Sequence, residues 1–432
     1  MQQEDDEYLH VYELCISDPT CISEKELNTF QHLHSLYLPH SLLHTATSAL
    51  SHLHTLNLSH SSQLRHVSAL QHLHTLDLSY CTALCDVSSL GKIHVLNLSG
   101  CTAITDLSSL HDVYHLNLSH CSQLVEIDAL GGQYHLNLSH CVNIHCVAHL
   151  AEVVELNLSH CYAVSDVSAL GHVYTLNLSH CSKITNVSCL RAVTSLNLSG
   201  CDGITSVSSL GHLHTLNISS CQSLRSIQGL ENVHDLDLTG CERISEKMYY
   251  HLCKMHTLKC TINREALDLS LFQKVYDLTL HIDAPHEACI PRLFTSTFRK
   301  KKWADGIRHL NHVYKLSLVD TDGVNVLTVD GLEFVHELVL ENWHQLDRTK
   351  TVLRLESLVA RDCGPRVVLN DIVGNSLRAL EVTGPYTVIS QWNLLFQLER
   401  LKIDGCYVPL NSSGGTSLAN LEQVTYAKSL QI

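Results

Sequence analysis

A period of 20 residues constrains the fold of this chain more than any other feature of its sequence. The string YHLNLSHC stands at 114–121 and again, unchanged, at 134–141. Written in rows of twenty from Gln31, the chain aligns without a gap as far as Leu230. A row this short cannot bury its apolar residues alone and must stack on its neighbours. The sequence therefore predicts a solenoid.

The apolar residues of each row predict which side chains face the core. Position 6 of the repeat is leucine in every row from Leu36 to Leu236, and position 8 is leucine except at Ile218. Because these positions lie two apart, both side chains point to one side of a short strand, and positions 5, 7 and 9 point to the other. Positions 3, 14, 17 and 20 are almost all aliphatic, with Gln133 as the polar exception at position 3. Twenty residues leave room for a turn or a 3₁₀ segment opposite the strand, but hardly for a full α-helix.

Cysteine occupies position 11 in nine rows, from Cys81 to Cys241. The row then reads L-x-x-L-x-L-x-x-C-x-x-I-x-x-V-x-x-L, and segments such as CTAITDLSSL and CSKITNVSCL resemble the cysteine-containing type of leucine-rich repeat. The resemblance implies an α/β solenoid shaped as a horseshoe. One continuous parallel sheet would line its concave face, and short turn or 3₁₀ segments its convex face. Because L-x-x-L-x-L also recurs outside the regular rows, we expect about twenty coils.

These patterns predict three parts of one solenoid. Residues 1–10 form an acidic leader, 11–242 the regular repeats, and 243–432 an irregular continuation with a basic insertion at about 283–306. The insertion carries Arg299, Lys300, Lys301 and Lys302 between Phe298 and Trp303. Such a run is typical of a nuclear localisation signal, of an anionic-surface contact or of a solvated loop.

The overall charge and the sequence motifs exclude several classes of function. With a formal net charge of -15, the chain is not expected to bind nucleic acid, which is recognised chiefly by Lys and Arg. We find neither a secretory signal pattern nor a long apolar run, so we expect no membrane contact and an intracellular location, cytoplasmic or nuclear. No phosphate-binding glycine loop, G-x-S-x-G or H-E-x-x-H occurs, so we predict no enzyme activity and no cofactor. A monomer is the expected state.

The recurring cysteines are interpreted as structural. Position 11 should point into the core, where a thiol packs as a small apolar group. Neighbouring coils place these cysteines within disulfide range, but parallel side chains and a reducing compartment argue against bridging. A metal site stays an alternative, although no C-x-x-C pair occurs in the sequence.

Histidine recurs at positions 2, 4 and 10, at the two margins of the predicted strand, where successive coils should stack the rings into columns. Three interpretations stay open. The histidines are filler copied with the repeat, or they bind metal, or they respond to pH because the imidazole pKa lies near 6.5. The candidate metal ligands are His120, His140, His160 and His180.

The exposed side of the strands supplies the predicted partner-binding residues. Position 7 is nearly always asparagine, and we expect these amides to form a ladder between coils. Position 5 varies most, as a position that selects a ligand would. The N-x-S sequons that arise are interpreted as a by-product of the strand pattern. The predicted contact residues are Thr55, Asn57, Thr75, Asp77, Asn97, His115, Asn117, His135, Asn137, Glu155, Asn157, Thr175, Asn177, Asn197, Asn217 and Asp237.

Taken together, these features predict a non-catalytic scaffold that binds a protein partner through the concave sheet. A metal-binding or pH-responsive role of the histidine columns is the alternative, and a rigid spacer is a third possibility. The resemblance implies two more specific roles, because repeats of this kind are similar to those of substrate receptors of F-box ubiquitin ligases and of regulators of adenylate cyclases.

Overall fold

The computed structural model divides the chain into two compact units, Met1–Leu224 (unit 1) and Arg225–Ile432 (unit 2). The predicted leader (1–10) and the basic run Arg299 to Lys302 lie outside the residues that the structure describes, so the functions considered for that run stay predictions. The described residues are 11–18, 32–41, 50, 52–245, 248–249, 252, 255–263, 269–272, 274–283, 308–310, 312–321, 326–327, 329, 332–346, 353–364, 367, 376–384, 397–404 and 423–426.

Unit 1 contains a parallel sheet in which each strand pairs with the next one along the chain. The register repeats every coil, since Leu116 lies opposite Leu136 and Asn117 opposite Asn137. Its strands are β1 (Glu13–Cys15), β2 (Ser35–Tyr37), β3 (Thr55–Asn57), β4 (Thr75–Asp77), β5 (Val95–Asn97), β6 (His115–Asn117), β7 (His135–Asn137), β8 (Glu155–Asn157), β9 (Thr175–Asn177), β10 (Ser195–Asn197) and β11 (Thr215–Asn217).

Unit 2 continues the same pattern with longer strands. Its main sheet is again parallel, and β16 and β18 form a separate parallel pair. Its strands are β12 (Asp235–Leu238), β13 (Thr257–Asn263), β14 (Asp277–Asp283), β15 (Lys315–Asp320), β16 (Val326–Leu327), β17 (Glu337–Glu341), β18 (Gln345–Leu346), β19 (Ser357–Arg361), β20 (Ala379–Thr383), β21 (Arg400–Asp404) and β22 (Gln423–Tyr426).

The core of unit 1 is formed by the predicted apolar positions. Leu116, Leu118, Leu124 and Leu130, at positions 6, 8, 14 and 20 of one coil, are at most 3% exposed. Opposite the strands the chain makes turns and short 3₁₀ segments, for example Ser168–His172. Further 3₁₀ segments among the described residues of unit 1 include Ser68–Leu70, Leu110–Asp112, Ala148–Leu150 and Ser188–Ala192. The predicted class of fold, parallel strands backed by turns and 3₁₀ segments, is confirmed. In the described part of the chain, no helix is both long and apolar enough to cross a bilayer.

Gln133, the polar residue at position 3, is buried, and both its amide nitrogen and its amide oxygen form hydrogen bonds. Its Nε2 donates to the carbonyl oxygens of Leu110 (3.0 Å) and His111 (3.2 Å) in the preceding coil. Its Oε1 accepts a hydrogen bond of 2.8 Å from the backbone N–H of Gly131. Because Gly131 has a φ of +139°, the backbone at this point departs from the other coils, and the glutamine side chain satisfies the polar groups there.

A left-handed residue follows each of the strands β2 to β12, at position 10 of the repeat. The φ angles are 58° at His40, 61° at His120 and 57° at Ser220, and they are also positive at Gly100 and Gly200. This conformation lets the backbone N–H of position 10 donate to the carbonyl oxygen of position 9 in the next coil, as from His120 to Ser139 (2.8 Å). The alternation of apolar residues along the repeat does not predict this conformation.

Candidate functional site

The sheet face of unit 1, meaning the position 5 and position 7 side chains of β3–β11, is the predicted binding surface. These side chains are half-buried, and the leucine between them in each strand is buried. The structure therefore places the predicted residues of unit 1 on one face. Whether they contact a partner stays a prediction.

The position 7 side chains have a structural role that sequence reasoning missed. The Oδ1 atom of Asn117 accepts a hydrogen bond of 3.0 Å from the backbone N–H of Ser119, two residues later. The same bond, 2.8 to 3.1 Å long, forms at Asn57, Asp77, Asn97, Asn137, Asn157, Asn177, Asn197, Asn217 and, in unit 2, Asp237. It orders the turn just before the left-handed residue, which is a common use of Asn and Asp. This requirement gives the recurring N-x-S sequon a structural reason.

The expected ladder of amides between coils forms at one place among the described residues of this face. The Nδ2 atom of Asn57 donates to Oδ2 of Asp77 over 3.2 Å. In the other coils the amide oxygen accepts the hydrogen bond from the backbone N–H two residues later. The turn explains why position 7 is nearly always asparagine or aspartate. Position 5 has no such role and therefore says more about what the surface could bind.

Three neighbouring position 5 residues form a polar cluster at the middle of the sheet face. His115 and His135 meet edge to face, with ring centroids 5.7 Å apart, and His115 also meets the ring of Tyr114 at 4.8 Å. The Nδ1 atom of His135 lies 3.8 Å from Oε2 of Glu155, which is too long for a hydrogen bond, and this buried atom has no partner. Burial, followed by the charges that His135 and His94 can carry, lowers the pKa of His115, whereas Glu155 acts to raise it.

The sheet face of unit 2 has a different chemistry, with charges paired between adjacent coils. Lys315 lies 3.5 Å from Asp277, and Lys402 lies 3.1 Å from Glu381. The predicted residue Asp237 lies 4.0 Å from Lys259. Apart from Asp237, these residues were not among the predicted contact residues, although they occupy positions 5 and 7 of the same L-x-x-L-x-L pattern and could have been found from it.

The strand-entry column is the stack of position 4 rings just before the strands. In unit 1 it runs through seven rings whose centroids lie 4.4 to 5.0 Å apart, namely Tyr12, His34, His54, His74, His94, Tyr114 and Tyr134. In unit 2 the described stack contains His234, His256, Tyr276, Tyr314 and His336. Burial and the neighbouring imidazoles lower the pKa of His74. The expected column at position 4 is therefore present.

The turn column is the stack of position 10 rings just after the strands of unit 1. His120, His140, His160 and His180 stack with centroids 4.2 to 4.4 Å apart and ring planes within 13° of parallel. An earlier stack joins His40, His60 and Tyr80. Burial is the main cause that lowers the pKa of His140 and His160, and the other rings of the column add to it.

This geometry bears on the four candidate metal ligands of the turn column. The lone pair of an imidazole nitrogen lies in the ring plane, and a zinc ion sits about 2.0–2.1 Å from it along that direction. In a parallel stack the lone pairs run side by side and do not converge on one point. As they are arranged, His120, His140, His160 and His180 do not form a chelating site.

The position 11 cysteines are buried donors to the backbone. The thiol of Cys161 is 0% exposed and donates to the carbonyl oxygen of Leu138 over 3.1 Å. The same bond forms at Cys81, Cys101, Cys121, Cys141, Cys181, Cys201 and Cys221. Burial raises the pKa of Cys81 to about 11 and that of Cys141 to about 12. These thiols are protonated at neutral pH and pack as the sequence predicts.

Comparison with known proteins supports the fold. No protein-family model matches the chain, and no curated protein matches it in sequence. Among solved structures, the mouse RP105/MD-1 complex matches 94% of this chain and 79% of that chain, with 15% identity and a TM-score of 0.51. The functional domain of InlJ from Listeria monocytogenes, which includes a cysteine ladder, matches 86% of this chain and 77% of that chain, with 17% identity and a TM-score of 0.43. The 20-residue period, the parallel strands and the cysteine layer, with the likeness to the RP105/MD-1 complex, show that the chain has the leucine-rich repeat fold.

Proposed function

We propose that this chain is a non-catalytic scaffold that recognises a protein partner through the sheet face of unit 1. The observation that carries the proposal is that positions 5 and 7 of that face have different roles. Position 7 is committed to holding the turns, whereas position 5 changes from Thr75 through Val95 to His115 and Glu155 on an otherwise uniform frame. A rigid surface with one variable column suits recognition, because little conformational entropy is lost on binding.

The polar cluster of His115, His135 and Glu155 is the centre of the proposed surface. The side chains of His135 and Glu155 are 45% and 39% exposed, so an imidazole and a carboxylate are both within reach of a protein partner. The other proposed features follow the sequence analysis: no nucleic acid, no membrane and no cofactor are required.

Capture by the full chain, followed by direct binding measurements, tests this proposal. A captured protein is purified, and its dissociation constant is measured by surface plasmon resonance against three full-length chains. These are the native chain, the face variant H115A/H135A/V95R and the turn-side variant H66A/H145A/V125R. The turn-side variant is the control, because it carries the same three kinds of substitution at residues that are exposed opposite the strands.

The face variant should bind at least about tenfold more weakly, as expected for loss of a central interface cluster, and the turn-side variant should bind like the native chain. A partner that binds both variants equally well would overturn recognition by this face. The identity of the captured protein also tests the two more specific roles, since a ubiquitin-ligase component and an adenylate cyclase are different partners.

A pH response is a second candidate function, favoured by the stacked imidazoles and the lowered pKa of His74, His140 and His160. Binding of the same partner at pH 7.4 and pH 5.5 tests it. A change in affinity that disappears when His140 and His160 are replaced by Gln would support regulation through the turn column, and an unchanged affinity would contradict it.

An intracellular location, cytoplasmic or nuclear, belongs to the same proposal. The reduced thiols are compatible with an intracellular location, since Cys161 and its equivalents donate hydrogen bonds to carbonyl groups in the core. Fractionation of cells that express the tagged chain, together with glycosidase treatment, is the test. Glycosylation at Asn117 or its equivalents would place the protein in the secretory pathway and contradict the proposal.

A further inference from the structure

The strand-entry column of unit 1 has a gap at Val154. Every described position 4 residue from Tyr12 to Tyr134 carries a ring, but the next coil places the half-buried side chain of Val154 there. Tyr174, one coil further, makes no ring contact among the described residues and is 57% exposed. Tyr134 stacks on Tyr114 on one side only. The gap over Val154 is therefore bordered by two tyrosines.

The dimensions of this gap follow from the spacing of the column. Neighbouring rings are 4.4 to 5.0 Å apart, so Tyr134 and Tyr174 stand two such steps apart. A flat group above Val154 would lie about 5 Å from each ring, inside the limit of about 6 Å for a cation–π interaction. The backbone holds the border in place, because the N–H of Tyr174 donates to the carbonyl oxygen of Val154 over 2.9 Å.

Two carboxylates lie in the same coil as Val154. Glu155 follows Val154 directly, on β8, and its side chain is 39% exposed. Glu152 is exposed in the same coil. The segment 93–182, which contains the whole gap, has seven Asp and Glu residues and no Lys or Arg. The imidazole of His135 lies 3.8 Å from the Glu155 carboxylate.

A guanidinium group combines the properties that this gap requires. It is flat, positively charged and weakly hydrated, it stacks on aromatic faces, and its N–H groups bind carboxylates. A lysine ammonium has the charge but not the plane, and a phenyl ring has the plane but leaves Glu155 unpaired. We propose that the gap over Val154 binds an arginine side chain of the protein partner, stacked between Tyr134 and Tyr174 and paired with Glu155. This inference rests on the proposed function and names the chemistry of the partner.

A second gap in the same column provides a control. Thr194 also occupies position 4 without a ring, but Ser195 replaces the carboxylate and Arg191 lies three residues before it. Filling that gap leaves the gap over Val154 open. The variants V154Y and T194Y therefore differ only in which gap receives a ring, and tyrosine fits this position because Tyr114, Tyr134 and Tyr174 occupy it in other coils.

Fluorescence anisotropy with the full chain tests the inference. The probes are labelled peptides Gly-Ser-X-Ser-Gly in which X is arginine, lysine, citrulline or phenylalanine. The arginine peptide should bind at least about fivefold more tightly than the others. V154Y, Y174A and E155Q should each weaken binding of the arginine peptide by at least about fivefold. T194Y should not, and neither should Y162A, which removes an exposed tyrosine outside the strands. Thermal melting confirms that each variant is folded.

The outcomes separate this inference from the proposed function. Equal binding of the arginine peptide to V154Y and T194Y would overturn the arginine site, and tighter binding of the phenylalanine peptide would show an apolar site instead. If V154Y still binds the captured partner and H115A/H135A/V95R does not, the sheet face is the binding surface and only the arginine site is wrong. If the arginine peptide binds as expected and the captured partner binds the face variant as tightly as the native chain, only the proposed function is wrong.

Discussion

The imidazole of His180 covers the backbone of Gly200, so that a Cβ atom on Gly200 would come within 2.5 Å of the ring Nδ1 atom. Tyr80 and Gly100 show the same relationship, with a Cβ atom 2.6 Å from the Tyr80 ring. Each ring of the turn column thus leans over the next coil, and a glycine ends the stack. Both glycines are left-handed, with φ of +67° at Gly200 and +70° at Gly100.

Replacing Gly200 by alanine should lower the free energy of unfolding by about 1–2 kcal/mol, because the left-handed conformation disfavours a Cβ atom, and the ring of His180 must also move. Urea denaturation of the full chain measures the change. The same substitution in an H180A background should cost less, since only the backbone penalty remains. A G200A chain as stable as the native one would contradict the described geometry.

Replacing Gln133 by valine, the residue found at position 3 in several coils, should destabilise the protein. The change removes the side-chain donor to His111 O and the acceptor of the Gly131 N–H. A buried polar group left without a partner costs about 1–3 kcal/mol, which outweighs the gain from an apolar side chain. V153L, a change of shape at the same position in the next coil, serves as the control and should cost less than about 1.5 kcal/mol. Stabilisation by Q133V would show that the side-chain bonds contribute little.

The protein should lose stability as the pH falls from 7 to 5. The pKa values of His74, His140 and His160 are lowered in the folded state by burial and by neighbouring imidazoles. The unfolded chain therefore takes up protons first, so stability is complete above about pH 6.5, the unperturbed pKa, and declines below it. Melting temperature as a function of pH measures this loss. The H140Q/H160Q variant should show a smaller decline than H66Q/H145Q, whose histidines lie outside both columns, and equal declines would contradict the prediction.

Native-state alkylation should distinguish two classes of cysteine. Iodoacetamide at pH 8 should label the exposed Cys85 and Cys146. It should leave Cys81 and Cys141 unmodified, because burial blocks access and raises their pKa to about 11 and about 12. Mass spectrometry of proteolytic peptides measures the labelling, and the denatured chain, in which all four react, is the control. Rapid labelling of Cys141 in the native protein would contradict its place in the core.

Much of the candidate surface could be predicted from the sequence, because side-chain direction along a strand alternates with a period of two. Leu116 and Leu118 are buried, while His115 and Asn117 lie on the sheet face, as expected. The left-handed turn had a sequence signal as well. Glycine at Gly100, Gly200 and Gly240 indicates a position that disfavours a side chain, but the histidines at the same position suggested an exposed margin instead.

The role of position 7 shows why other features could not be predicted. An asparagine on an exposed strand face can bond to the next coil or to its own turn, and both choices satisfy the same pattern. The bond from Asn117 to the N–H of Ser119 depends on the turn geometry that follows the strand. The paired charges of unit 2, such as Lys402 and Glu381, likewise depend on which residues the register brings together.

The sequence by itself determined the solenoid, its parallel strands and the side of the sheet that each residue occupies, because these follow from the 20-residue period and the alternation within a strand. Only the tertiary structure decided how one coil meets the next. The stacked imidazoles, the bond from Cys161 to a carbonyl 23 residues earlier, and the gap between Tyr134 and Tyr174 all join different coils. Contacts of this kind depend on the distances and ring orientations that stacking sets, and a linear pattern contains neither.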